Sequence, residues 1–342
     1  MKRSLYSTLL AGLMLVLTVV ACTSSGTGNP FGNTVTISIY YGSEKEAWMD
    51  VVTEQFNNQR VQTESGATIV VEATPIGSIE SMRQILDGQA QPTVWSPASS
   101  IYVPLANEEW RQQTGENLTD PEPNELVLSP VVIAMWEPMA QALGWPEESI
   151  GWADIAELAA SEEGWAEYGF PEWGRFKLGH THPEFSNSGY TSVLAEIYAG
   201  AGKQRDLTLE DLNDPEVIAF VASVERAIIH YGSSTGFFGR RMFERGPSYL
   251  SAAVLYENLI VEQEQARITG QSAQLPVVAI YPEEGTFWSD HPYAILNAPW
   301  VTAEQTEAAE IFEDYLLAEE QQRQTLQFGF RPADPTRDCS GC

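Results

Sequence analysis

The chain of 342 residues carries 47 acidic against 18 basic side chains, a formal net charge of −29, with 43% apolar and 11% aromatic residues. That composition is globular rather than disordered, and the length suits about two domains able to bury their own cores without disulfides. A nucleic-acid partner is excluded, because phosphate binding needs a basic stripe and the Lys and Arg here are few and scattered.

Lys2 and Arg3 precede an apolar run from Leu9 to Val20. The run is shorter than the roughly 20 residues of a bilayer span and has the form of an export signal. It closes on Val19-Val20-Ala21-Cys22, small residues before a cysteine that resemble the lipobox at which bacteria attach diacylglycerol. Cys22 is therefore the expected lipidation site, with residues 1–21 a lipoprotein signal peptide. Residues 22–33 are small and polar with Gly and Pro, the composition of a flexible tether. The protein is expected outside the cytoplasm, held to the cell membrane by its lipid. Cys339 and Cys342 stand in a CSGC stretch within a tail at 336–342, as a local disulfide, an inert end or half of a metal site.

Thr34 to Tyr41 alternates with period two and is rich in β-branched and aromatic residues, which predicts a strand. Gly42-Ser43 opens a helix through Asn57, with Glu46 placed as in a capping box. A second strand is expected over Ala67 to Ala73, a helix over Ser78 to Leu86, a short buried strand over Thr93 to Trp95, and a helix opening at Ser96 to Ser100 and ending near Thr114. This alternation is the signature of a mostly parallel sheet with helices on its faces. After the break at Pro121 to Asn124, Glu125 to Trp136 reads as an extended apolar segment that crosses between domains. Helices follow at Trp152 to Ala160, Ser188 to Ala201, Thr208 to Asn213, Asp214 to Tyr231, Gly239 to Arg245 and Ser248 to Ala252, with short strands at Phe176 to Gly179 and Ala253 to Tyr256. Pro276 to Tyr281 is again a strand, and Thr302 to Phe328 is one or two helices.

No GxxxxGK[ST] loop, HExxH or GxGxxG is present, which lowers the case for an enzyme without excluding one, and the reading is of a binding protein that is not an enzyme and needs no cofactor. Three loop-to-helix junctions share one chemistry: Gly42-Ser43-Glu44, Ser96 to Ser100 with Ser99, and Ser186-Asn187-Ser188-Gly189. Each sets hydroxyls or an amide beside the free N–H groups of a helix start, either as plain caps or as a site for a small anion or polar ligand atom. Convergence of all three on one cleft would decide for the ligand. His180-Thr181-His182 with Glu184 is chemistry a zinc site uses, although no metal site is assigned from it. Tyr256-Glu257-Asn258 ends a strand, carrying polar groups into a cleft or leaving Tyr256 in the core and Glu257 in solvent. Glu283-Glu284 is expected to be solvated, and Trp95 and Trp288 are candidate cleft walls.

The segments ISIYYGSEKEAW, PTVWSPASSIYVPLAN, HTHPEFSNSGYTSVLAEIYAGAGK, VLYENLIVE and YPEEGTFWSDHPYAIL resemble bacterial extracellular solute-binding proteins of the periplasmic type II class, especially the molybdate-binding-protein-like branch. The likeness runs over about Thr34 to Pro335. Similar segments also precede von Willebrand factor A modules in some bacterial surface proteins. The resemblance implies the periplasmic-binding-protein type II fold, two α/β lobes joined by two crossing strands, with lobe I at 34–125 plus 284–335 and lobe II at 126–283. It places ligand-binding positions at Ser43, Ser96 and Ser99, at Asn187 and Ser188, and at Tyr256 on the facing strand. Glu257 beside that tyrosine departs from an oxyanion site, since a carboxylate near a dry oxyanion pocket is costly unless paired. The solute is thus left open among an oxyanion, a cation, an amine or a sugar. The partners implied are that solute, an ABC-type transporter permease and the membrane, with the protein a monomer. Rival readings are an adhesion, assembly or sensing module that keeps the fold without transport, an extracellular hydrolase using a carboxylate pair, and a metal-binding protein using His180 and His182.

Overall fold

The computed structural model describes residues 33–333; the expectations for the signal, the tether, Cys22, Cys339 and Cys342 lie outside the described residues. β1 (Thr34–Gly42) alternates as its sequence requires, turning Val35, Ile37, Ile39 and Tyr41 into the interior. One 3₁₀ turn, Ser43–Lys45, leads into α1 (Glu46–Gln59). β2 (Thr68–Ile76), α2 (Ser78–Leu86), β3 (Val94–Ser96) and α3 (Tyr102–Thr114) complete the first β-α alternation. β4 (Val127–Trp136) then leaves this unit, and α4 (Glu137–Ala142), α5 (Trp152–Ala160), β5 (Leu178–Thr181), α6 (Asn187–Gly200), α7 (Leu209–Leu212), α8 (Pro215–Glu225), β6 (Ile228–Gly232), α9 (Thr235–Arg245), β7 (Ala252–Tyr256), α10 (Glu257–Ile268) and β8 (Val277–Ile280) follow. The chain returns through β9 (Trp288–Ser289) and β10 (Ala294–Ile295) to α11 (Ala303–Leu317), α12 (Glu319–Thr325) and β11 (Arg331–Pro332).

Two sheets result. The first has the order β10-β3-β1-β2, with β1 parallel to both β2 and β3 and β10 antiparallel at the edge. The second has the order β11-β4-β7-β5-β6, with β8 and β9 also paired to β4. Burial follows the sheets. On one face of the first sheet Ile37, Trp48, Phe56 and Phe312 pack together, and on the other Ile79, Trp95, Tyr102 and Trp110. A separate core of Ile133, Trp136, Phe238 and Leu255 surrounds the second sheet. β4 belongs to both: Val127 lies in the first core, and Val131 through Trp136 lie in the second. The molecule is thus a two-lobed mixed α/β protein whose lobes share one long strand.

Four expectations change. Ser96 ends β3 instead of starting a helix, and α3 begins only at Tyr102. The helix expected over Asp214 to Tyr231 stops at Glu225, where β-branched Ile228 and Ile229 enter β6 alongside β5. Ser248 to Ser251 is a turn into β7 rather than a helix. α10 was not anticipated, because its buried residues include Asn258 and Gln263 and no clean apolar stripe marks it.

Candidate functional site between the lobes

The 3₁₀ turn after β1, the start of α6 and the start of α9 meet in one buried polar cluster. Ser43 Oγ donates to Ser234 Oγ at 2.8 Å and accepts from the Gly236 N–H at 2.9 Å. The backbones approach so closely that a Cβ on Gly236 would lie 2.1 Å from Ser43 O. Asn187 joins three segments: its Oδ1 accepts from the Tyr102 hydroxyl at 2.8 Å, and its Nδ2 donates to Tyr256 Oη at 2.7 Å and to Ser289 Oγ at 3.1 Å. Ser188 Oγ shares hydrogen bonds of 2.8 Å with both Thr181 Oγ1 and Thr235 Oγ1. A second junction lies beside the cluster, where the Ile79 and Glu80 N–H groups at the start of α2 both donate to Phe185 O at 3.1 Å. There a Cβ on Gly77 would stand 2.4 Å from the same oxygen.

Three ionisable side chains sit at the floor of the cluster. Lys45 Nζ donates to Ser96 O at 3.0 Å and Pro97 O at 3.3 Å, and lies 3.1 Å from His291 Nδ1. Glu44 Oε1 is 3.5 Å from that ammonium and 3.2 Å from His291 Nδ1. All three are buried. Burial alone would raise the Glu44 carboxyl, but the Lys45 charge and the His291 contact overcome it and hold the group below its ordinary value. Burial, then the Lys45 charge, lowers His291, so the set reads as an ion pair beside a neutral imidazole. Burial also pushes the Tyr256 phenol well up, keeping its hydrogen available. Two buried polar atoms have no hydrogen-bond partner here, Ser96 Oγ and His291 Nε2.

Of the residues singled out from sequence, Ser43, Ser96, Asn187, Ser188 and Tyr256 come together, and all are buried. Ser99 is buried but serves its own turn, accepting from the Ile101 N–H at 3.4 Å. Glu257 stands apart: it pairs with Arg331 at 3.0 Å and accepts the Tyr281 hydroxyl. Trp95 is core, its Nε1 donating to Ser81 Oγ, whereas Trp288 is half exposed beneath the Arg331 guanidinium at 4.8 Å. Glu284 is not simply solvated, since its carboxylate accepts from the Trp152 and Ala153 N–H groups at the start of α5. Sequence reasoning missed Glu44, Lys45, Tyr102, Ser234, Thr235, Ser289 and His291. Ser233-Ser234-Thr235-Gly236 has the same hydroxyl-rich form as the Ser186 junction and was the available signal.

Turn and helix starts from both lobes thus meet in one polar cluster, its hydroxyls, amide and N–H groups hydrogen-bonded to one another across the lobes, a concentration of groups that could serve a small polar solute. A sequence profile of the family described as bacterial extracellular solute-binding protein matches residues 37–331. Two uncharacterised proteins of Mycobacterium tuberculosis, one from each of two strains, are 26% identical over 263 residues, covering 71% of this chain and 34% of theirs. The chain thus spans about a third of the length of these curated relatives. Among solved structures, the sulfate-binding protein SubI of Mycobacterium tuberculosis H37Rv superposes with a TM-score of 0.58 at 18% identity, covering 89% of this chain and 88% of SubI. A periplasmic thiamin binding protein superposes with a TM-score of 0.61 at 8% identity, covering 88% and 84%. These structures share the two-lobed fold, and the family is one that binds substrates rather than converting them. With the profile covering nearly the whole described chain, this protein belongs to the bacterial extracellular solute-binding proteins.

Proposed function

We propose that this protein is a lipid-anchored receptor that closes its two lobes on a small oxyanion and hands it to an ABC-type transporter. The observation that carries the reading is that hydrogen bonds cross between the lobes here, linking Ser43 with Ser234 and the Gly236 N–H and Asn187 with Tyr102 and Ser289, with Ser188 and Thr235 bonded to each other beside them. The carboxylate that argued against an anion, Glu257, is neutralised by Arg331 and lies outside the cluster. Hydroxyls, an amide and helix N-termini are donors, and a desolvated anion is the ligand they complement. The chain's net charge of −29 opposes an anion at long range, so affinity has to come from these short contacts. Lobe I is taken as 34–125 with 284–335 and lobe II as 126–283, with β4 and the segment from β8 to β10 as the hinge. Cys22 carries the lipid, and the solute-loaded protein acts as a monomer.

Thermal unfolding across a panel of sulfate, molybdate, phosphate, sugars and amines tests the reading. A ligand specific to the folded state adds about 2.7 kcal/mol at a hundred times its Kd. The expected result is a rise in Tm with one oxyanion that Ser43→Ala and Asn187→Ala reduce. A rise with an amine or sugar alone overturns the solute class, and no rise with any solute overturns the receptor reading. For the anchor, Cys22→Ala is expected to release the protein from the membrane fraction. The greater length of the curated relatives favours one second reading, in which the same fold serves as a module of a larger surface protein.

A further inference from the structure

We propose that His180, Glu196 and Glu225 bind a divalent transition-metal cation of the zinc type at a site in the second lobe distinct from the interlobe cluster. One donor atom from each lies within 4.8 Å of the others, and they come from β5, α6 and α8. Donors on a tetrahedral ion at about 2.1 Å stand about 3.4 Å apart, so binding needs the carboxylates to draw inward by about an ångström.

The histidine is prepared for this role. His180 Nδ1 lies 2.6 Å from Thr181 O, a carbonyl that only accepts, so Nδ1 donates, and Nε2 faces the carboxylates, where a bound cation would displace the proton shared with Glu225. That arrangement, with one ring nitrogen tied to the backbone, is how ligating imidazoles are oriented. His180 Nε2 is 2.9 Å from Glu225 Oε1, and Glu225 Oε2 accepts from the Tyr231 hydroxyl at 2.8 Å. Glu196 is the second, independent observation. Its residue is fully buried, its Oε1 accepts from Ser192 Oγ at 3.2 Å, and its Oε2 has no hydrogen-bond partner. A buried carboxylate with an orphaned oxygen beside a second carboxylate is unfavourable unless it holds a proton or a cation. Two carboxylates and a neutral imidazole balance the charge of one divalent ion, and a nitrogen ligand selects a transition metal over calcium or magnesium. Glu225 is the partly exposed member, with its side chain 26% accessible, and gives the ion its route in. The ion would clamp β5, α6 and α8 together without needing the solute reading to hold.

The test uses the full chain with Cys339→Ser and Cys342→Ser, so that the terminal thiols contribute nothing. After chelator treatment the protein is titrated calorimetrically with zinc chloride and, separately, calcium chloride. One zinc per chain is expected, weakened at least about tenfold by Glu196→Gln, a variant that mimics the protonated acid and so preserves the fold. Glu225→Gln is expected to weaken it as well. Absence of stoichiometric zinc binding, zinc affinity unchanged in Glu196→Gln, or calcium bound more tightly than zinc would each overturn the assignment.

Discussion

Asn187 reaches a first-lobe tyrosine, a second-lobe tyrosine and a serine of the returning segment through one amide. Asn187→Ala leaves those buried hydroxyls short of partners, each worth about 1–3 kcal/mol when unsatisfied, so a lower Tm in the unliganded protein is expected by calorimetry. Lys45→Met strands the buried Glu44 carboxylate, and breaking such a pair costs about 3–5 kcal/mol; denaturant unfolding should show a loss of that order. A pH effect attaches to Glu262, which burial pushes up to about 7 from 4.5 against the Asn258 hydrogen bond and the Arg240 charge, with Glu46 and Glu44 adding to the rise. The folded state keeps a proton there that the unfolded chain has released, so this group's contribution falls as pH rises from 4.5 through about 7. Glu262→Gln should flatten the decline in Tm between pH 5 and pH 8. At this scale the sequence revealed the hydroxyl and amide chemistry of Ser43, Asn187 and Ser188. It did not reveal Glu44, Lys45 and His291, because a buried ion pair looks on paper like any surface charge.

Helix starts and their glycines are where elements decide function. Gly236 and Gly77 allow backbones of opposite lobes to meet, and at each the obstacle to a Cβ is a main-chain oxygen that cannot swing aside. Gly236→Ala is therefore expected to disfavour closure, read as a larger radius of gyration by X-ray scattering and solute affinity about tenfold weaker, equivalent to 1.4 kcal/mol. Gly189→Ala acts within one lobe instead, since its Cβ would fall 1.9 Å from Thr181 O, and should lower Tm. Periodicity located β1, α2, α5 and the C-terminal helices well. It failed where polar residues are buried, as in α10, and where β-branched residues follow a helix without a break, as at β6. The Ser96 junction failed for a different reason: hydroxyls beside proline look like a cap even when the next helix starts six residues later, at Tyr102.

Two separate cores tied by β4 make the whole molecule a pair of bodies on a short linkage, the arrangement from which hinge closure comes. A solute that contacts both lobes binds the closed state better and shifts the population toward it. Added solute is accordingly expected to narrow the distribution of interlobe distances between spin labels at two exposed sites, Leu105 and Leu209; an unchanged distribution would sink the closure mechanism. An α/β sheet and a crossing segment before Trp136 were legible from the pattern, and the two lobes from the family resemblance. Which helix starts would face one another was not legible, because that depends on the angle between lobes and no local pattern encodes it.

β1 runs from Thr34 at one end of its sheet to Gly42 at the other, where Ser43 enters the cluster. Nine strand residues span about 26 Å at 3.3 Å per step. The chain therefore enters the fold at the end of the sheet remote from the polar cluster. An anchor of the kind proposed at Cys22 would join the fold at the opposite end of this strand from the cluster, so that mooring the molecule would not obstruct loading it.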